Sequence, residues 1–231
     1  MNELEAIEAK YGFRYPELYR ALYRDGMLDT GGPYGRDWHS KYYKTFSENP
    51  TLLFFGADFE LIKWERVEEA LEEFKDPDIW DVAPEFHFMP FAQNGAGDLY
   101  VFQFDKERDG CVPITLLPHD WKEASVLAKN LQDFILRSIL ENVVYLTEYS
   151  PTDTDFRNML RTHTPYLTPR QVGLLTGIIA KETNGIEHTS RGKIGGDELK
   201  EILQREIGFP ELNTDFKYRR SEKIGTDHGF P

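Results

Sequence analysis

The chain holds one cysteine, Cys111, in 231 residues. A single thiol closes no internal disulfide, so the fold must rest on its core, and a reducing compartment is expected. Long apolar runs are also missing, and none approaches the ~20 residues of a bilayer-spanning helix. The opening Met1-Asn2-Glu3-Leu4-Glu5 is acidic, without the apolar centre of a secretory leader. The expectation is a soluble, cytoplasmic protein. Histidine is sparse: His39, His87, His119, His163, His188 and His228 are scattered, no two within four residues and none beside Cys111. A metal site would need distant ligands to converge with no local spacing motif, so neither metal nor cofactor is expected. No Gly-x-Ser-x-Gly elbow occurs, and Ser125 and Ser138 read as lying in or beside a helix.

Positive charge is in short supply. Lys and Arg number 27 against 40 Asp and Glu, a net charge of −13. Residues 1–145 carry 27 acids and 15 bases, whereas residues 146–231 carry 13 and 12. The imbalance peaks in residues 58–85, with eleven acids against three bases. Such a surface repels nucleic acid and anionic membrane and attracts basic proteins. Evenly spread acidity would serve solubility alone. Concentrated in one stretch, it gives a specific electrostatic face equal standing.

Apolar residues make up 40% of the chain and aromatics 14%, enough for a real core. The most informative stretch is Phe88 to Asp105: an apolar run, the turn Asn94-Gly95-Ala96-Gly97-Asp98, then Leu99-Tyr100-Val101-Phe102. Asn-Gly between aromatic, β-branched runs signals a hairpin, because both residues tolerate positive φ. The same glycines could be taken for a phosphate cradle. A cradle must hand over to a helix N-terminus, and these hand over to a strand.

Around this hairpin, helices are expected over residues 2–11 and from Pro16 to Gly26, the latter with Pro16 at its first position. The stripe Tyr11, Tyr15, Tyr19 and Tyr23 reads as packing. Residues 26–50, rich in Gly and Pro and in Tyr34, Trp38, Tyr42, Tyr43 and Phe46, read as irregular. Thr51 to Phe55 reads as a strand. Trp64 to Phe74 reads as an amphipathic helix, with Trp64, Val67, Leu71 and Phe74 on one face and Glu65, Glu68, Glu69, Glu72 and Glu73 on the others. Val112 to Leu117 reads as a strand, with Pro113 making it an edge or marking its first residues. Leu127, Leu131, Phe134, Ile135 and Ile139 form a helical stripe. Asp120 followed by Glu123 has capping-box spacing, and Cys111 is expected to pack at a strand start. Beyond Ser150-Pro151 three short helices are expected: Asp155–Leu160, a second capped by Thr168 with Pro169 and Gln171 and ending at Asn184-Gly185, and Glu198–Ile207. From about residue 213 the chain is polar and without period.

Residues 3–142 together resemble the SUKH superfamily. Four stretches carry the likeness. Ile7 to Phe13 followed by Tyr15 to Tyr23 is similar to the family's opening helices. Asp25-Gly26 is similar to its helix-ending turn. Phe91 to Val101 resembles its central strand–glycine turn–strand signature. Cys111 to Ile114, then His119-Asp120, then Leu131 to Ile139 resembles its last strand, His-Asp turn and closing helix. Tyr15 departs from the usual aliphatic residue, and residues 146–231 have no counterpart.

The resemblance implies an α+β fold, a mainly antiparallel sheet with surrounding helices, over residues 1–145. Residues 146–231 are expected to be a mainly helical extension packed on that body. The resemblance further implies no catalysis, and binding to a cognate toxin domain, often a nuclease or another nucleic-acid-modifying enzyme whose basic face an acidic surface complements. The state expected is a monomer or weak homodimer. The candidate contacts are Glu68, Glu69, Glu72, Glu73, Asp76 and Asp78 as an acidic face, with Trp38, Tyr42, Tyr43 and Trp80 as aromatic anchors; Asn94, Gly95, Gly97 and Asp98 are assigned to a structural turn. Two other classes stay open: a scaffold or regulator of cell-wall synthesis, like the family's fungal relatives, and a hydrolase with an unrecognised carboxylate site.

Overall fold

Asn2 opens the first helix: its side chain accepts from the Glu5 N–H, and Glu5 reaches back to the Asn2 N–H. This helix, α1 (Glu3–Tyr11), ends where Gly12 takes φ +70°, a left-handed conformation cheap only for glycine. In the computed structural model, residues 2–32, 36–56, 58–144, 146, 150–186, 190–208 and 216–219 are described. Tyr34, His188, His228 and most of the polar tail therefore lie outside the described residues.

The second helix, α2 (Glu17–Arg24), starts one residue after Pro16, so the proline caps rather than enters it. The stretch read as irregular contains a helix, α3 (Trp38–Glu48), which buries Phe46. Its flanking glycines hide it from a composition-based reading. Thr51 to Phe55, read as a strand, is instead a run of turns, with Leu53 at φ +50°. Then follow β1 (Glu60–Leu61), α4 (Trp64–Glu73), β2 (Phe88–Gln93), β3 (Leu99–Gln103), β4 (Ile114–Leu117), β5 (Glu123–Ala128) and α5 (Leu131–Asn142). The last part comprises α6 (Asp153–His163), α7 (Pro169–Ile179), a hairpin of β6 (Asn184–Ile186) and β7 (Ser190–Gly192), α8 (Gly196–Glu206) and β8 (Phe216–Lys217).

The fold is α+β, as expected. Its sheet runs β1-β2-β3-β4-β5-β8, every pairing antiparallel. β2 and β3 pair about the expected turn, with Gln93 opposite Leu99. A bulge between Pro90 and Ala92 interrupts that register. β1 pairs only with Gln93 and Ala92, so Pro90, which has no N–H to give, lies beyond its reach. Pro113 precedes β4, an interior strand, and so marks its start.

Two expectations fail just after β4. Leu127 belongs to β5, and the helix begins at Leu131, where the Asn130 side chain accepts from the Asp133 N–H. Glu123, three residues after Asp120, lies in β5. Ser125, read as lying in or beside a helix, pairs with Leu116 in the sheet. Further along, α7 ends at Ile179, and Asn184-Gly185 opens the small hairpin instead.

The core is one hydrophobic cluster to which α1, α2, α4, the sheet, α5 and α6–α8 all contribute. An aromatic seam runs through it. Tyr15 and Tyr19 pack on Phe102 with centroids 5.8 and 5.1 Å apart, Phe102 on Phe91 at 4.7 Å, and Phe91 on Phe134 at 6.0 Å. Tyr15 and Tyr19 are thus packing residues, as their spacing suggested.

The C-terminal segment adds the sixth strand. Tyr218, fully buried, has its hydroxyl on the carbonyls of Pro118 and Trp121 and its backbone bonded to Lys122 and Ala83. Arg219 bridges to Val82 and lies 5.5 Å from the Trp80 ring. The extension is therefore not purely helical. Among the described residues, no helix is long and apolar enough to cross a membrane.

Candidate partner-binding surface

The glycine turn leaves no amide for a phosphate. Asn94 Oδ1 accepts from the N–H of Ala96 at 3.0 Å and of Asp98 at 2.8 Å. Gly97 N–H donates to Asn94 O, and Gly95 N–H to Asp58 Oδ1 at 2.6 Å. An Asx turn satisfies its own backbone in this way. Only Gly97 needs a positive φ, at +92°. Asn94, Gly95, Gly97 and Asp98 thus form a turn, though not through the positive φ at Asn94 and Gly95 that Asn-Gly suggests.

Asp98 also holds the His-Asp pair. Its Oδ1 accepts from the His119 N–H at 3.0 Å and lies 2.8 Å from the ring Nδ1. Burial alone would raise the Asp98 carboxyl. The hydrogen bonds from His119 and Asn94 outweigh it, and the carboxyl falls below its usual value. Asp120 completes a group whose ligand atoms lie within 4.8 Å of one another. His119 and Asp120 are exposed, and the Asp98 oxygen is already committed to His119, so the arrangement reads as a clasp between two loops. Cys111, expected to pack, is exposed in a tight turn where its backbone pairs with Arg108.

The acidic helix buries Val67, Ala70 and Leu71 and presents its glutamates outward. They are not bare. Glu68 pairs with Lys10 at 3.0 Å, Glu73 with Arg66 at 2.8 Å and Glu72 with Lys75 at 2.9 Å. Glu69 lies 3.9 Å from Arg66. Pairs of this exposure contribute at most about 1 kcal/mol each, and acids still outnumber the cations. Asp76, with Oδ1 accepting from the Asp78 N–H, lines a shallow cleft with these glutamates, Lys10 and the half-exposed Ile79.

The expected aromatic anchors separate. Trp80 is a core residue, 4% exposed, packed on Phe74 at 5.5 Å, so its ring is not offered to a partner. Trp38, Tyr42 and Tyr43 lie together on α3. Trp38 donates Nε1–H to Thr30 O at 2.8 Å and stacks on Phe46. Tyr43 is 37% exposed and stacks on His39 at 4.3 Å. Sequence reasoning passes over Trp121, at 61% the most exposed large apolar side chain among the described residues. Its only signal is a Trp between Asp120 and Lys122. Two further clefts are visible only in three dimensions. One of about 900 Å³ lies between the α1–α2 loop and the start of β2. The other, of about 460 Å³, lies between α3, the 51–55 turns and β1.

No curated protein and no solved structure matches the chain significantly. A family profile does, over residues 2–137, which span α1 through most of α5 and leave out α6–α8. This chain belongs to the SMI1 / KNR4 family (SUKH-1), a generally non-catalytic family whose membership supports an immunity-protein-like or SMI1/KNR4-related role.

Proposed function

We propose that this chain is a non-catalytic immunity protein that neutralises a toxin domain by covering its basic substrate face. A nuclease-like or nucleic-acid-modifying toxin fits best, since such enzymes carry positive charge for phosphate. The observation that carries the reading is α4: an exposed helix whose glutamates keep a net negative charge after Lys10, Arg66 and Lys75 are counted. Family membership supplies the class of partner. Glu69 and Glu72 on this helix are well exposed, with side chains 66% and 64% accessible. The test pairs the protein with the toxin domain encoded beside its gene. Stoichiometric loss of toxin activity supports the reading, and undiminished activity at equimolar protein overturns it.

A role in regulating cell-wall synthesis is the second reading, favoured by the family's SMI1 / KNR4 branch. It predicts a cell-wall phenotype on gene deletion when no toxin is present. A hydrolase reading has little to support it. Glu68, Glu72 and Glu73 are engaged by cations on an exposed helix, not set across a pocket as paired catalytic carboxylates are.

A further inference from the structure

The second cleft has the chemistry of a cation-binding pocket. Its walls are rings. Tyr43 and Phe54 lie 5.9 Å apart, Phe54 and Phe55 4.8 Å, and Trp38 and Phe54 5.9 Å. Glu60 is the one carboxylate among its lining residues, and no Lys or Arg is among them. The Glu60 side chain takes one long hydrogen bond, from Gln93 Nε2 at 3.4 Å. No ion pair to it is found among the described residues. The 460 Å³ volume is ample for one long side chain.

Ring faces attract a cation held within about 6 Å of the centroid, and more strongly when it is desolvated. A carboxylate at the rim supplies the counter-charge. The planar guanidinium suits this arrangement better than an ammonium. It stacks on aromatic faces, is more weakly hydrated, and meets a carboxylate in bidentate fashion. A chain of net charge −13 draws basic surfaces toward itself.

We infer that the cleft between α3, the 51–55 turns and β1 is the seat of an arginine side chain from the basic partner protein, laid over the packed aromatic surface to which Tyr43 and Phe54 contribute and paired with Glu60. This rests on the partner reading above and names the contact that would hold the complex together. Charge on α4 would govern encounter, and an anchor of this type the residence time.

The full-length protein is titrated with the peptide acetyl-Gly-Arg-Gly-amide and with its uncharged citrulline counterpart, followed by the NMR signals of the Trp38 indole and the Tyr43 and Glu60 amides. The arginine peptide should shift these signals with a dissociation constant on the order of millimolar, and the citrulline peptide should not. Glu60→Gln and, separately, Tyr43→Ala should each weaken binding at least about fivefold. Tyr43 is exposed, so its variant tests the pocket without threatening the fold. Equal shifts by the two peptides, silence of the cleft signals, or unchanged affinity in both variants would overturn the inference. A cleft that binds arginine in a protein that fails to inhibit the toxin would overturn the functional reading and leave the pocket standing.

Discussion

His163 accepts a hydrogen bond at Nε2 from the Leu53 N–H, 3.0 Å away and 110 residues earlier in the chain. Its Nδ1 lies 2.8 Å from Met159 O. The Leu53 N–H needs an acceptor and the Met159 carbonyl a donor, so the ring must be neutral with its proton on Nδ1. The bond ties α6, outside the family match, to the turn within it where Leu53 sits at φ +50°.

Acid should therefore loosen the fold through this ring. Burial drives the His163 pKa down from 6.5 to about 4, against a smaller raising effect of the Met159 hydrogen bond. The folded state favours the neutral form, so the contribution is fully present above pH 6.5. It falls as pH drops from 6.5 toward 4 and levels off below, for a total of about 3 kcal/mol. Urea unfolding at a series of pH values checks this. The His163→Asn variant should start lower at pH 7 but lose about one proton's worth of slope across that window. Equal slopes in parent and variant would refute the assignment.

Gly192 should tolerate no side chain. A Cβ there would lie 2.1 Å from the Val144 carbonyl oxygen, and the next residue's N–H donates to Val143 O at 2.8 Å. Backbone meets backbone at the end of α5, and neither can give way. Gly192→Ala should cost several kcal/mol, on the order of the largest single-site effects, and lower the melting temperature by more than about 8 °C. A change within about 2 °C would contradict the close approach.

The β8 segment should matter to the family-like body. Tyr218→Ala removes a fully buried ring and its hydroxyl contacts to Pro118 and Trp121, a loss of about 3–5 kcal/mol. Truncation after residue 215 should be similarly costly and should expose the β5 edge to self-association. Light scattering and thermal melting of the truncated chain decide it.

Residues 146–231 should not fold alone. Asn158 Nδ2 donates to Ser47 O at 3.0 Å, Arg161 to Glu48 O at 2.7 Å, and Tyr166 to Asp25 Oδ2 at 2.9 Å. Phe156, Met159 and Leu203 belong to the common core. The isolated fragment should show no cooperative unfolding by circular dichroism, and a sharp transition would mark an independent domain.

Association with the proposed toxin partner should be salt-sensitive. Glu69→Lys with Glu72→Lys removes two exposed acids at little cost to the fold. The on-rate should fall about tenfold at low salt, with less effect at high salt. Stopped-flow association at two ionic strengths reads it, and equal rates for parent and variant would leave the acidic helix a role in solubility alone.

Much of the fold was written locally. The Thr168–Gln171 capping box, the αL glycine after α1, the amphipathic stripe of α4 and the Asn94–Asp98 turn each rest on contacts within four or five residues. Sequence spacing therefore displays them, and the family likeness is built of the same local signals. The failures share one cause. Leu127 continues a helical stripe by spacing, yet β4 offers Ala128 and Val126 a ladder that the sequence does not reveal. β8 is two residues in a polar tail and exists because β5 has an open edge. Trp80, flanked by acids like an interface anchor, is covered by Tyr218 and Arg219 from the far end of the chain. The acidic stripe on α4 was legible, but not its remote cation Lys10, nor the cleft that sets Glu60 among rings. Charge and periodicity are properties of a segment, whereas strand partners, burial and clefts depend on which remote segment the core brings alongside. Only tertiary packing decides that.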